Sequence, residues 1–190
     1  MLNRLLSLVV VAGFICASGC APKAVETPTV DPVARGAYLS IAGGCGDCHT
    51  PLKMSPQGPA PDASMLLSGH PASLVMPTPP PTGDSPWAWY GAITSTAFAG
   101  PWGISYAINL TPDLETGLGK WSETQFVQAM RTGRHLGNGR PILPPMPWPN
   151  FARMTDADLS ALFMYLRSIA PIVNKVPEAV PALPPAPPGA

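Results

Sequence analysis

"GGCGDCHT", residues 43–50, contains two cysteines three positions apart, and a histidine directly follows the second cysteine. Three kinds of site use a cysteine pair with this spacing: a zinc site, a redox-active disulfide and a point of covalent haem attachment. The ligands available elsewhere in the chain, and the elements predicted around the motif, allow these three interpretations to be compared.

Zinc is disfavoured by the number of available ligands. A structural zinc site has four protein ligands, and Cys45 and Cys48 supply two of them. His49 directly follows Cys48, so its side chain leaves the backbone in a different direction. The other histidines, His70 and His135, are isolated and have no partner at a zinc-ligand spacing.

A redox-active disulfide is disfavoured by the context of the motif. Thiol–disulfide oxidoreductases place the first cysteine at a helix start within a strand–helix–strand unit. Here a predicted helix precedes the cysteines and a proline-rich segment follows them.

Covalent haem attachment fits the segment best. Residues three apart on a helical turn lie on one side, so Cys45 and Cys48 can form thioethers with the two vinyl groups of a porphyrin. The imidazole of His49 then faces the iron as the proximal ligand. The CxxCH pattern occurs once in the chain, and we therefore predict one covalently bound haem c.

Met146 is the predicted distal ligand of the iron. It lies in "RPILPPMPWPNF", residues 140–151, with Pro144, Pro145 and Pro147 around it. Proline restricts the backbone in advance, so such a loop can hold a thioether in place at low entropic cost. The alternative is that Met146 is a packed hydrophobic residue, a common role of methionine.

Other methionines compete for the distal position. Met54, Met65 and Met76 lie in the long segment after the cysteines and stay open as alternatives. Met130 and Met154 fall in or beside predicted helices, and we expect them in the core.

Among the histidines, His70 is the rival distal ligand, although a lone loop histidine is more often exposed or hydrogen-bonded. His135 is expected in a solvated turn. Three arginines around that turn are candidates for pairing with haem propionates, although solvated arginines are the default: Arg131, Arg134 and Arg140.

Composition excludes some partners. The formal net charge is zero and 12% of the residues are charged, so no basic patch favours nucleic acid and no acidic run favours a cationic partner. Proline accounts for 27 of the 190 residues, which predicts much turn and extended chain.

The first residues have the features of an export signal. Arg4 precedes an apolar run over residues 5–15, which is too short to span a bilayer. The sequence "ASGC", residues 17–20, resembles a bacterial lipobox, which implies cleavage after residue 19 and lipidation of Cys20. An ordinary secretory signal is the alternative. We predict a signal peptide over 1–19 and a lipidated tether over 20–30. The protein is then anchored on the periplasmic side of the bacterial cell envelope.

Two predicted helices flank the long middle segment. The first starts at Asp31, a good N-cap, with Pro32 in its first turn, and ends at the glycines before the cysteines. The second starts at Ser122, with Gln125 completing a capping box, and ends at Gly133.

A third helix starts at Thr155, with Asp158 at the reciprocal capping position, and ends before Pro171. Residues 51–120 show few strand signals, of which "YAINL", residues 106–110, is a modest one. We therefore predict an all-α domain over 31–170, in which a long proline-rich loop wraps around the haem. A proline-rich tail, extended or disordered, covers 171–190.

Three stretches carry a resemblance to a known family: "GAYLSIAGGCGDCHTP", "NLTPDLETGLGKWSETQFVQAMRTGR" and "PPMPWPNFARMTDADLSALFMYLRSIAP". Over about residues 33–177 the chain resembles class I cytochromes c, in particular the cytochrome c domains beside membrane-bound bacterial alcohol and gluconate dehydrogenases. Such subunits usually carry several haem motifs, whereas this chain carries one.

The resemblance implies a cytochrome c fold around the haem. It places Cys45 and Cys48 at the thioether positions, His49 as the proximal ligand and Met146 as the distal ligand. It also implies that the "NLTPD" loop, residues 109–113, borders the haem, although a proline turn capped by its own aspartate is the alternative. Finally, it implies that the first and last helices cross closely, with Gly36 and Tyr38 against three residues: Leu162, Tyr165 and Leu166.

The predicted function is one-electron transfer between a donor and an acceptor redox protein, without catalysis of a substrate reaction. Two alternatives stay open. One is a cytochrome subunit of a larger membrane oxidoreductase or of a respiratory or photosynthetic complex. The other is a haem-based ligand sensor, which requires a displaceable sixth ligand.

The lipobox interpretation predicts that Cys20→Ser abolishes lipidation, so the processed protein should leave the membrane fraction. Membrane association is measured by fractionation and immunoblotting, with Cys16→Ser as the matched control because Cys16 lies within the predicted signal peptide. Unchanged membrane association of Cys20→Ser would refute the lipid anchor.

Overall fold

The computed structural model describes residues 30–79 and 86–182. The predicted signal peptide 1–19, Cys20, the tether up to residue 29 and the end of the tail, 183–190, lie outside the described residues. The described parts contain five α-helices: α1 Pro32–Ala42, α2 Cys45–His49, α3 Glu123–Thr132, α4 Trp148–Phe151 and α5 Asp156–Ser168. They also contain six short strands: β1 Leu52–Ser55, β2 Gly58–Pro61, β3 Tyr90–Gly91, β4 Ala97–Gly100, β5 Gly103–Tyr106 and β6 Val180–Pro181.

The prediction of an all-α fold is wrong, because the long middle segment forms β-structure. Strands β1 and β2 make an antiparallel hairpin, and a second antiparallel sheet has the order β3-β4-β5-β6. These strands are two to four residues long, too short for a period of two to emerge from the sequence. Of the "YAINL" candidate, Tyr106 alone lies in a strand. Hairpin pairing satisfies backbone groups that a bare loop would leave without partners.

The predicted starts of the first two long helices are confirmed. The Asp31 carboxylate accepts a hydrogen bond from the Val33 amide, with Pro32 in the first turn of α1. At α3, the Ser122 hydroxyl and the Gln125 side chain each accept from the other residue's amide, at 3.2 and 2.9 Å.

The end of α3 and the start of α5 also match the prediction. Gly133 ends α3 in the left-handed region, with φ +65°. Thr155 caps α5 by accepting from the Asp158 amide at 3.1 Å. The Asp158 carboxylate does not complete the box; it accepts from Arg35 Nε on α1 at 2.9 Å, and this interaction holds its pKa below the ordinary value.

Helices α1 and α5 cross in direct backbone contact. A Cβ atom on Gly36 would lie 2.0 Å from the carbonyl oxygen of Ala161 and 2.7 Å from Cβ of Tyr165. One turn further along α1, Leu39 packs in the same buried cluster as Leu162 and Leu166. The absence of a side chain at Gly36 therefore determines how closely the two terminal helices approach.

Tyr38, which the resemblance placed against α5, is mostly exposed. Its side chain is 61% exposed, and the guanidinium of Arg35 lies 5.6 Å from the centre of its ring. Because Gly36 and Leu39 face α5, Tyr38 falls on another side of the helix.

The backbone contact at Gly36 predicts that Gly36→Ala lowers the free energy of unfolding by about 1–3 kcal/mol, the usual cost of overpacking. The loss is expected although alanine has a higher helix propensity than glycine, which by itself would stabilise the helix by about 1 kcal/mol. Urea unfolding followed by circular dichroism measures the change.

Gly91→Ala is the matched control, because its nearest neighbour would be Trp89 at 3.5 Å, an ordinary contact. We expect it to change stability by less than about 0.5 kcal/mol. A Gly36→Ala protein as stable as the unsubstituted one would contradict the close crossing.

Candidate functional site

A cavity of about 470 Å³ lies between the helices, the second sheet and the C-terminal segment. Small-molecule sites in proteins usually measure roughly 300–1,000 Å³, so the cavity is of the size that holds a cofactor. Apolar side chains form most of its wall, with contributions from α3, α4 and α5. They include Phe126, Phe151, Leu162 and Leu166.

Helix α2 carries both cysteines to the cavity. The chain leaves α1 through Gly43 and Gly44, and Gly44 lies in the left-handed region at φ +67°. This turn starts α2 at Cys45, so Cys45 and Cys48 are one helical turn apart and both line the cavity. No disulfide joins them.

His49, the last residue of α2, is buried and lines the same cavity. Its Nδ1 lies 2.7 Å from the carbonyl oxygen of Ile108. Because a carbonyl oxygen accepts only, Nδ1 holds the proton and Nε2 keeps a free lone pair. Burial lowers the pKa of His49 and so favours the neutral imidazole, the form that binds metals.

The two cysteines do not have the environment of a reactive thiolate. Burial raises the pKa of Cys45 and of Cys48, whereas the reactive cysteine of a thiol–disulfide oxidoreductase has a lowered pKa. Within residues 30–79 and 86–182, no group of three or more His, Cys, Asp or Glu residues could hold a metal ion. The structure therefore supports neither the disulfide nor the zinc interpretation.

Met146 lies in the loop before α4, lines the cavity and packs against the buried core. The loop is attached to β5, because the hydroxyl of Ser105 donates to the carbonyl oxygen of Pro144 at 2.6 Å. The structure thus brings Cys45, Cys48, His49 and Met146 to one cavity.

The structure distinguishes the competing methionines by whether they line the cavity. Met54, Met65 and Met76 do not line the cavity. Met154 does not line it either, but it packs against the buried core. Met130 on α3 packs against the core as expected, and it also lines the cavity. Among the described methionines, Met130 is therefore the structural competitor of Met146.

The rival ligand His70 does not line the cavity, although its ring lies 4.8 Å from that of the cavity-lining Tyr106, and both of its ring nitrogens are hydrogen-bonded. Its Nε2 donates to the carbonyl oxygen of Leu74 at 2.9 Å, and its Nδ1 accepts from the Thr96 hydroxyl at 2.8 Å. The residue is fully buried. These contacts give His70 a structural role.

His135 is not the solvated turn residue that the sequence indicated. It is half-buried, lines the cavity, and its ring lies edge-on to Trp121 with centroids 4.9 Å apart. Burial, followed by the nearby Arg140 charge, lowers its pKa. Its position two residues after the helix-ending Gly133 is the signal that could have placed it beside α3 and the cavity.

The three arginines near His135 have different partners. Arg140 lines the cavity. Arg131 donates to the carboxylate of Asp156 and to the carbonyl oxygen of Ala152, and Arg134 donates to the carbonyl oxygen of Gly139 at 3.0 Å. Arg140 is therefore the one of the three that the structure brings to the site.

The "NLTPD" loop reaches the cavity and also contains a turn capped by its own aspartate. Leu110 lines the cavity, and the Asp113 carboxylate accepts from the amide and the hydroxyl of Thr116 at 2.8 and 2.6 Å. These hydrogen bonds hold the pKa of Asp113 below its usual value. Sequence reasoning did not find Pro177 and Ala179, two tail residues that also line the cavity.

Comparison with known proteins identifies the class to which these features correspond. The chain is 31% identical over 159 residues to a subunit of the nicotinate dehydrogenase of Pseudomonas putida, covering 82% of this chain and 10% of the relative. It is 30% identical over 143 residues to the gluconate 2-dehydrogenase cytochrome c subunit of Pantoea cypripedii, covering 75% of this chain and 24% of the relative.

A further relative is the cytochrome c subunit of the quinone alcohol dehydrogenase of Gluconacetobacter polyoxogenes, 29% identical over 177 residues, with 92% of this chain and 30% of the relative covered. The chain thus spans less than a third of the length of these curated relatives. No protein-family model matches it.

The resemblance to cytochrome subunits of bacterial dehydrogenases is confirmed. The chain is homologous to such subunits over most of its length, and this similarity supports a cytochrome c-like domain. The relatives described as cytochrome c subunits are electron-transfer subunits and not catalytic ones, in agreement with the prediction that this chain is not an enzyme. None of the helices in the described part of the chain has the length and apolar character needed to cross a membrane.

Proposed function

We propose that this chain is a one-electron carrier of the bacterial cell envelope, with a single haem c bonded to Cys45 and Cys48 and ligated by His49 and Met146. The observation that supports this assignment is the convergence of these four side chains on one largely apolar cavity. When bound, the haem supplies one-electron exchange between its ferric and ferrous states.

The residues of the site fit such a group. Cys45 and Cys48 share one helical turn, as two thioether bonds along one porphyrin edge require. The hydrogen bond from His49 to Ile108 fixes the tautomer and the direction of the ligating imidazole. The proline-rich loop, attached to β5 by Ser105, holds the thioether of Met146 at the cavity wall.

The wall of the cavity has a further consequence for electron transfer. Apolar side chains exclude water, which disfavours the more highly charged ferric state and raises the reduction potential. With a formal net charge of zero, the protein gains little long-range steering toward a partner. Donor and acceptor redox proteins would therefore dock on a small, partly apolar patch.

The membrane location is part of the proposal. Cleavage of residues 1–19 and lipidation of Cys20 would anchor the protein on the periplasmic side, with residues 20–30 as a tether. Confinement by a short tether raises the effective concentration of the domain near membrane-bound partners.

The names of the relatives favour a second candidate, in which the chain is a non-catalytic cytochrome subunit of a membrane dehydrogenase complex. The two candidates share the same site and differ in the stability of the association. Isolation of the native protein from detergent-solubilised membranes distinguishes them, because a stable subunit copurifies with a dehydrogenase and a mobile carrier does not.

Covalent attachment predicts that the haem stays with the chain under denaturing conditions. A haem stain after denaturing electrophoresis should label the exported protein, and the Cys45→Ser/Cys48→Ser double variant should lose the label because both thioethers are gone. A purified protein that is folded but colourless would refute the proposal.

Distal ligation by methionine predicts that Met146→Ala abolishes the weak far-red iron–sulfur band of the ferric protein and lowers the reduction potential. Met130→Ala is the matched control, since Met130 lines the same cavity. We expect it to keep the band. Loss of the band in Met130→Ala but not in Met146→Ala would transfer the ligand role to Met130.

A six-coordinate iron also predicts that the unsubstituted ferrous protein binds carbon monoxide poorly, whereas Met146→Ala binds it readily. Difference spectra measure both. Rapid carbon monoxide binding by the unsubstituted protein would favour the ligand-sensor alternative.

A further inference from the structure

The chain beyond α5 forms part of the cavity wall. Residues 171–182, named the C-terminal strap here, follow α5, form no helix and include β6. Pro177 and Ala179, in the middle of the strap, line the cavity. The sheet partner of β6 is β5, whose last residue, Tyr106, also lines the cavity.

Asn174 attaches the near end of the strap. It is 5% exposed, although Val173 before it is 80% exposed and Lys175 after it is exposed. Its side-chain amide donates to the carbonyl oxygens of Ser68 and His70 at 2.7 and 2.9 Å.

The remaining polar atom of this side chain is also used. The side-chain oxygen of Asn174 accepts from the amide of Ala72 at 2.9 Å. Three hydrogen bonds therefore satisfy one buried side chain, an arrangement that is costly to disturb because the partners are left unpaired.

A second asparagine connects the strap to the segment that orients His49. The side-chain amide of Asn109 donates to the carbonyl oxygen of Ile172 at 2.8 Å. The preceding residue, Ile108, provides the carbonyl oxygen that accepts from His49. The adjacent residues Ile108 and Asn109 therefore hold the imidazole of His49 and the start of the strap, respectively.

The far end of the strap is attached independently through β6. Ile104 pairs with Val180, and Gly103 pairs with Pro181. A Cβ atom on Gly103 would lie 2.0 Å from the carbonyl oxygen of Val180, and φ of Gly103 is +97°. Glycine is thus required here for β6 to approach β5.

We propose that the C-terminal strap seals the cofactor cavity from water and that Asn174 is its positioning residue. The cavity-lining residues Pro177 and Ala179 lie between the two attachments, so loosening either end admits water beside the cofactor. This inference rests on the proposed function, since it assigns the strap a role in setting the potential of that haem.

The test compares Asn174→Ala with Lys175→Ala in the full-length haem protein. Asn174→Ala should speed amide hydrogen exchange of the strap by about tenfold or more, the usual effect of losing buried hydrogen bonds. It should also lower the reduction potential and speed imidazole binding to the ferric protein. Lys175→Ala, whose side chain is exposed, should leave all three unchanged.

Gly103→Ala is the second variant, because it disturbs the far attachment without touching Asn174. It should produce the same three changes, and it decides the question if Asn174→Ala does not accumulate as a folded protein. Faster strap exchange with an unchanged potential and unchanged imidazole binding would overturn the sealing role. Unchanged strap exchange in Asn174→Ala would overturn the role of Asn174.

A failure of the proposed function can be distinguished from a failure of the sealing role. It would appear as the absence of a covalent haem spectrum in the unsubstituted protein, whatever the exchange behaviour of the strap.

Discussion

The hydrogen bond from His49 to the carbonyl oxygen of Ile108 connects two segments on which the site depends: helix α2 and the chain that follows β5. His49 belongs to the short helix that carries the cysteines, and Ile108 lies shortly after β5. The bond fixes the tautomer of the buried imidazole and links the middle segment to α2. Two further hydrogen bonds support the cysteine helix, from the Gly69 amide to the carbonyl oxygen of His49 and from the Ser95 hydroxyl to the carbonyl oxygen of Asp47, both at 2.8 Å.

The other walls of the site come from parts of the chain that are distant in sequence but tied by specific polar contacts. Ser105 holds the methionine loop to the sheet. Arg167 on α5 donates to the backbone carbonyl of Leu118 at 3.1 Å, which keeps the segment before α3 close to the last helix. Asn109 holds the start of the C-terminal strap by donating to the carbonyl oxygen of Ile172. Asn174, within the strap, donates to the carbonyl oxygen of Ser68. Three of these side chains, Ser105, Asn109 and Asn174, are buried and hydrogen-bonded, whereas Arg167 is exposed.

Features encoded locally could be predicted from the sequence. The caps at Asp31, Ser122 and Thr155 were correct because an N-cap depends on residues within one turn. The cysteine pair and Met146 were expected at one site by their residue types and surroundings, and the structure brings them to one cavity. Their roles as thioether and iron ligands stay predictions.

Features set by tertiary contacts could not be predicted. The short strands exist because a partner strand supplies hydrogen bonds, and four residues carry no readable period. The rotation of α1 that leaves Tyr38 exposed depends on where Gly36 meets α5. Ala179 reaches the cavity just before β6, whose partner strand β5 lies far away in the sequence, so its local sequence gives no sign of this position.

The pairing of β6 with β5 has a consequence for how the domain can be divided. A chain ended at residue 170 would lose β6. Strand β5 would then form an unpaired sheet edge beside a cavity that lacks part of its wall. Exposed edges of this kind recruit strands from other molecules and promote aggregation. Residues up to 182 therefore belong to the folded unit, and any excised version of this domain should retain them to keep the edge of β5 paired.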